Sequence, residues 1–266
     1  MTSRTFHTIT LEQDARGVAR LTLNRPAKHN ALNGQLIDEL KQAADLLASD
    51  DSVRVVVLTG EGKSFCAGGD FNWFKGNAAA DRATRIRESS KLAHMLNALN
   101  ALPKPLIGRI QGPAYGGGVG MISVCDIAVG VDTARFGLTE VRLGLIPANI
   151  SPHVVARIGA ANARATMLSG ALFSAANAEK IGLLNETVTP DDLDARIDSI
   201  IADHLEAALG AVGETKRLIA YVASHSINDS MMYTADRLAD AWETDEGTTG
   251  INSFLGKTLP PWRTGK

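Results

Sequence analysis

Residues 106–131 read Leu106-Ile107-Gly108-Arg109-Ile110-Gln111-Gly112-Pro113-Ala114-Tyr115-Gly116-Gly117-Gly118-Val119-Gly120-Met121-Ile122-Ser123-Val124-Cys125-Asp126-Ile127-Ala128-Val129-Gly130-Val131. The first five residues read as a strand. The glycine cluster at 116–118 then opens an apolar helical segment towards Val124, and residues 126–131 form a second strand. Strand, helix and strand at this spacing predict parallel pairing and an α/β core. The same cycle precedes it. Residues 6–11 and 18–23 alternate with strand period around the turn Asp14-Ala15-Arg16-Gly17, predicting a hairpin. Leu36, Leu40, Ala43 and Leu47 recur at helical spacing. Residues 53–58 are a β-branched strand, 60–70 a loop, and 79–102 a helix stopped by Pro103 and Pro105. From Ser151 onward the pattern is almost wholly helical, with segments at 191–209, 212–223 and 228–242 and one late strand at 184–188.

The chain has 266 residues, 45% hydrophobic and 21% charged, an ordinary globular composition. A chain of this size buries roughly 75% of the surface of its unfolded form and needs no staples. With 27 basic against 29 acidic residues, it lacks the basic excess of a nucleic-acid-binding domain. No apolar run approaches the roughly 20 residues needed to span a bilayer. Met1-Thr2-Ser3-Arg4-Thr5-Phe6-His7 has no apolar signal region. Two cysteines, Cys66 and Cys125, form no disulfide framework and no zinc spacing, so a reducing cytoplasm is expected. The six histidines are scattered, and no metal site is read.

The glycine-bearing loops admit several chemistries. Gly60-Glu61-Gly62-Lys63-Ser64 resembles a phosphate loop, but Val57 stands where the first glycine must be. The glycines at 116–120 fail the dinucleotide register, because Met121 and Ser123 fall at its closing positions. No nucleophile elbow for a serine hydrolase occurs. A fourth reading takes the two loops together: Phe65-Cys66-Ala67-Gly68-Gly69-Asp70 and Gly112 to Gly118 each follow a strand. Each would leave backbone N–H groups free, and two such donors aimed at one point hold a developing oxyanion. Tight turns alone would also explain both glycine clusters.

Four stretches, in order along nearly the whole chain, give a resemblance to the enoyl-CoA hydratase/isomerase (crotonase) family. They are Leu23-Asn24-Arg25-Pro26 with Asn30-Ala31-Leu32; Ser64 to Asp70; Gly112 to Gly118 with Cys125-Asp126-Ile127; and Phe136 to Pro147. Ser253-Phe254-Leu255-Gly256-Lys257 matches near the end. The resemblance implies a crotonase-like spiral of repeated β-β-α units over residues 1–200. A C-terminal helical region, residues 201–266, would mediate homotrimers or dimers of trimers. It implies an acyl-CoA thioester substrate, coenzyme A being part of that substrate and no separate cofactor being needed. It places Gly69 and Gly117 N–H groups in the oxyanion hole and Glu140 as catalytic acid/base. Ala67, Gly69, Asp70, Phe71 and Gly117 would contact the coenzyme, with Lys28 and Lys257 at its phosphates; both lysines also read as solvated surface charges.

The chain departs from the family at two places. Common family hydratases use two glutamates; Glu140 supplies one, and Gly120 falls where the other would be. After Pro147 the usual glycine-rich stretch is replaced by Ala148-Asn149-Ile150-Ser151-Pro152-His153. Both departures resemble bacterial methylglutaconyl-CoA hydratases, whose acyl group carries a carboxylate that a second glutamate would repel. Loss of that glutamate is expected to leave space for the substrate's carboxylate. Arg142, Asn149 and His153 are candidates to bind it, and Trp73 and Phe74 belong either to the acyl pocket or to the core. The expected function is hydration of an enoyl-CoA of glutaconyl type. The alternative is 3-enoyl-CoA to 2-enoyl-CoA isomerisation, which one carboxylate can perform. An RNA-binding or scaffold role is the non-enzyme alternative, disfavoured by charge.

Overall fold

The computed structural model describes residues 6–263; the first five residues of the N-terminal stretch read above lie outside them. The strands are β1 (Ile9–Gln13), β2 (Val18–Leu23), β3 (Val55–Gly60), β4 (Leu106–Ile110), β5 (Ala114–Tyr115), β6 (Ile127–Val131), β7 (Arg135–Gly137), β8 (Phe173–Ser174) and β9 (Glu186–Val188). The helices are α1 (Gly34–Ser49), α2 (Phe71–Ala79), α3 (Arg82–Asn100), α4 (Gly117–Ser123), α5 (Ser151–Met167), α6 (Ala175–Lys180), α7 (Leu193–Leu205), α8 (Leu209–Val222), α9 (Ile227–Glu243) and α10 (Asp245–Leu255).

Six strands form the main sheet in the order β1-β2-β3-β4-β6-β9. Only the β1–β2 hairpin is antiparallel; every other neighbour in this sheet is parallel. The β-branched run Val55-Val56-Val57 is fully buried, as a strand covered on both faces requires. α1 covers one face with Leu36, Ile37, Leu40, Ala43, Ala44 and Leu47. Its start is fixed by Asn33, whose side chain accepts from Leu36 N at 2.9 Å.

Several boundaries differ from the sequence expectation, each for a local reason. β1 starts at Ile9 because the His7 and Thr8 amides donate to the Glu39 carboxylate instead of to a ladder. The helix expected at 79–102 is α3, from Arg82 to Asn100, and a separate helix that was not expected, α2, precedes it. Asp70 caps α2 by accepting from Asn72 N at 2.9 Å, and Asp81 caps α3 by accepting from Thr84 N at 2.7 Å. The small sheet β5-β7-β8 was not anticipated. The expected domain boundary at residue 200 falls inside α7, whose Leu193, Ile197, Ile200 and Ile201 are buried in the main core.

The last three helices pack on one another and are clipped to the core by polar contacts. Lys216 Nζ meets Asp126 Oδ2 at 2.7 Å, while the same carboxylate accepts from Leu106 N at 2.7 Å. Arg54 donates to the Leu205, Ala207 and Trp262 carbonyls. Apolar side chains on these helices stay exposed, Ile227, Met232 and Phe254 each by more than three-quarters.

Candidate active site

The two glycine loops are stitched edge to edge. Cys66 and Ala114 form an isolated parallel bridge, in which Tyr115 N donates to Cys66 O at 2.9 Å and Cys66 N to Pro113 O at 3.3 Å. A second bridge pairs Leu32 with Gly69: Leu32 N donates to Gly68 O and Asp70 N to Leu32 O. In this parallel bridge Leu32 bonds through its own N–H and C=O to the residues flanking Gly69, so those of Gly69 face the other way. The Gly69 N–H is therefore turned away from Leu32, and it has no acceptor among the described residues. Gly117 begins α4, where an amide has no intrahelical acceptor. A side chain at either glycine would force its neighbour to move: a Cβ on Gly69 would stand 2.5 Å from the Phe74 ring, and one on Gly117 would overlap the Leu32 Cδ1 methyl.

The N-terminal signature holds the first loop. Arg25 Nη2 meets Asp70 Oδ2 at 3.0 Å, and Asn30, wholly buried, donates to the Glu61 and Ser64 carbonyls at 2.9 Å. Burial pushes the Asp70 carboxyl up, but hydrogen bonds from Arg25 and the Asn72 amide outweigh it and hold the group below its ordinary range.

Glu140 reaches the second loop through the small sheet. β5 pairs with β7, Gly116 N donates to Gly137 O at 2.9 Å, and Glu140 follows three residues later at the start of a 3-10 turn, Glu140–Leu143. Its Oε1 lies 2.9 Å from where a Cβ on Gly116 would stand. Gly116 (φ 48) must therefore be glycine on both steric counts. Glu140 Oε2 is buried and lacks a hydrogen-bond partner among the described residues. Burial pushes its carboxyl above the ordinary glutamate value, against a smaller opposing effect of its own backbone N–H. A buried carboxyl raised in this way is a candidate for proton transfer.

Gly69, Gly117 and Glu140 line one cavity of about 440 Å³ together with Ala67. Trp73, Phe74 and Asn149 also line it, which assigns the two aromatics to the pocket wall. Lys28, Asp70, Phe71, Lys257, Arg142 and His153 do not. Asp70 is engaged by Arg25, Phe71 points to solvent at 79% exposure, and Arg142 donates to Ser169 O. Lys28 and Lys257 are exposed. Both cysteine thiols are buried and pushed up to about 12, so neither serves as a nucleophile.

The expectation that Gly120 leaves room for a substrate group is corrected. A Cβ there would stand 2.5 Å from Ile150 Cγ2 and 3.5 Å from Leu96 Cδ1, and Ile150, not Gly120, lines the cavity. The replaced segment after Pro147 thus fills the space with an apolar plug. Sequence reasoning also missed Arg85 and Ser89, which line the cavity from α3. Their signal was the helical spacing Arg85, Ser89, Leu92, Leu96, one stripe of one face.

Residues 13–265 match the family described as Enoyl-CoA hydratase/isomerase. Among curated relatives, the 2,3-dehydroadipyl-CoA hydratase of Escherichia coli is 33% identical over 253 residues, covering 92% of this chain and 95% of that protein. Among solved structures, an enoyl-CoA hydratase from Shewanella pealeana superposes with a TM-score of 0.93 at 32% identity, covering 97% of this chain and 96% of that one. One from Mycobacterium smegmatis gives 0.90 at 30% identity, covering 96% and 99%.

Proposed function

Because the chain belongs to the enoyl-CoA hydratase/isomerase family, we propose that it adds water across the 2,3-double bond of an enoyl-CoA thioester, with Glu140 as its single acid/base. The observation that carries this reading is that Glu140, whose Oε2 has no partner among the described residues, lies against Gly116, next to the Gly117 amide that with that of Gly69 is free to bind an oxygen. The Gly69 and Gly117 N–H groups hold the thioester carbonyl oxygen. The Glu140 carboxylate takes a proton from water as the water oxygen bonds to C3, and the C2–C3 π electrons move onto the thioester as an enolate. Glu140 then returns that proton to C2, so that H and OH are added and the enzyme is regenerated. Each oxyanion donor contributes about 2.7–4 kcal/mol to such a transition state.

The acyl group in this reading is of glutaconyl type, ending in a carboxylate. Two facts support it: with the Gly120 position plugged, Glu140 is the one acid among the described residues of the cavity wall, and the E. coli relative is named for a dehydroadipyl thioester, also a carboxylate-bearing chain. The exposed apolar faces of α9 and α10 suit self-association as a homotrimer or a dimer of trimers. The two free, buried thiols suit a reducing cytoplasm. Among the described residues no helix is long and apolar enough to cross a membrane.

A lone carboxylate also supports a second reaction, removal of a C2 proton from a 3-enoyl-CoA and its return to C4. Turnover of crotonyl-CoA, 3-methylglutaconyl-CoA and a 3-enoyl-CoA, with products weighed by mass spectrometry, separates the two. Hydration of the methylglutaconyl thioester is expected. Conversion of the 3-enoyl thioester without any hydration would make the protein an isomerase.

A further inference from the structure

We infer that Arg85, with Ser89 and Asn149 beside it, forms a subsite that binds the far carboxylate of the acyl chain; this rests on the acyl-CoA reading above. Among the described residues the cavity wall contains one cation and one acid, Arg85 and Glu140. Everything else on the α3 and 146–150 walls is neutral, including Leu92, Ile146 and Ile150.

The guanidinium is held from behind. Its Nε donates to Asn77 O at 2.8 Å and its Nη2 to Ala78 O at 2.8 Å. Those two carbonyls belong to the last turn of α2, whose end favours a cation, although Asn77 O also accepts from Ala80 N at 3.2 Å. Nη1 carries no hydrogen bond among the described residues, and Arg85 has no carboxylate within ion-pair distance there. Asp81, one turn back, caps Thr84 N and makes no ion pair with it. An oriented guanidinium with an open edge is the group that carboxylates select by paired hydrogen bonds.

Ser89 lies four residues further along α3, about 6 Å along its axis and on the same face. Asn149 Nδ2 donates to Ser89 Oγ at 2.6 Å. This bond fixes the 148–150 segment against α3 and leaves the Ser89 hydroxyl hydrogen free to be donated. The segment that plugs Gly120 through Ile150 therefore also brings the amide of Asn149 to the Arg85 stripe. Loss of one buried carboxylate position and placement of an amide on the stripe that carries Arg85 are two consequences of one loop.

The test uses unreactive saturated thioesters, so that it reads binding and not turnover. Dissociation constants of glutaryl-CoA, adipyl-CoA and butyryl-CoA are measured by calorimetry for the wild type, Arg85→Met and Arg85→Lys. The wild type is expected to bind one of the two carboxylated thioesters at least about tenfold more tightly than butyryl-CoA, the scale of one charge-assisted hydrogen-bond pair. Arg85→Met should abolish that preference and Arg85→Lys should recover part of it. Equal weakening of all three thioesters by Arg85→Met would mean that Arg85 serves the coenzyme phosphates or the fold, and would overturn the subsite. So would a wild type without the preference, which needs no variant to fold. Should the wild type show the preference yet hydrate no enoyl thioester, the subsite stands and the hydratase reading fails; binding of none of the three would overturn both.

Discussion

Ile150 Cγ2 occupies the place that a side chain on Gly120 would need, 2.5 Å from the position of its Cβ. Both residues are buried, and Leu96 closes the same space from α3. The absence of a second acid is therefore built into the packing and not only into the residue type at one position.

Substitution at Gly120 should accordingly be felt as overpacking. Gly120→Ala is expected to lower stability by about 1–3 kcal/mol. Ile150→Ala, although it opens a cavity of its own, should recover part of that loss in the double variant, because the two sites share one space. Urea denaturation of the four proteins gives the coupling directly. Gly120→Glu should lose turnover on an acidic acyl-CoA together with stability, with no gain in hydration of crotonyl-CoA.

Glu140 has a stability consequence of opposite sign to most carboxylates. Burial raises its folded-state value above the ordinary 4.5, so the folded protein prefers the protonated form. Above the raised value folding carries the penalty of an ionised buried carboxylate; below 4.5 both states are protonated and the penalty vanishes. Glu140→Gln should therefore raise Tm at neutral pH, and the gain should shrink to nothing as the pH falls below 4.5. Calorimetric scans across this range check it. In the wild type, the acid limb of kcat/KM should lie above the ordinary glutamate value.

The Arg25–Asp70 pair works in the conventional direction. Breaking it leaves a poorly solvated charge, and Arg25→Met is expected to cost about 3 kcal/mol at neutral pH. Asp70 is held below its ordinary 3.8, so its contribution is present above that value and is lost as the pH falls through the depressed one. The difference between wild type and Arg25→Met should narrow in strong acid. Turnover should fall with stability, since Asp70 also caps α2 beside Gly69.

On the proposed mechanism, Gly117→Ala displaces an oxyanion donor through contact with Leu32. A loss of about 10²–10³ in kcat is expected, as for removal of one such donor, with saturated thioesters still bound. Steady-state kinetics beside equilibrium binding separates the two effects.

The sequence was most legible where one local pattern dominates. β4 lies at residues 106–110 as read, because a short, mainly apolar run between prolines and a glycine loop has few other uses. β5 and β8 have two residues each, too few for alternation to register, yet the small sheet they share with β7 carries Glu140 to the second loop. The resemblance supplied Gly69, Gly117 and Glu140, which line one cavity. It could not show that Asp70 answers Arg25, since that pairing spans 45 residues of sequence. Arg85 was one of three arginines in a polar stretch with Arg82 and Arg87. Only the facing of α3 distinguishes it, and the spacing to Ser89, Leu92 and Leu96 held that information unread.

Hydration of 3-methylglutaconyl-CoA by the wild type and by Glu140→Gln tests the central claim most directly, with occupancy of both proteins checked by equilibrium binding. The wild type should yield the water adduct, and the variant should bind the thioester but turn it over about 10²–10⁴-fold more slowly. Near-equal turnover by the two proteins would remove Glu140 from the chemistry and contradict the account.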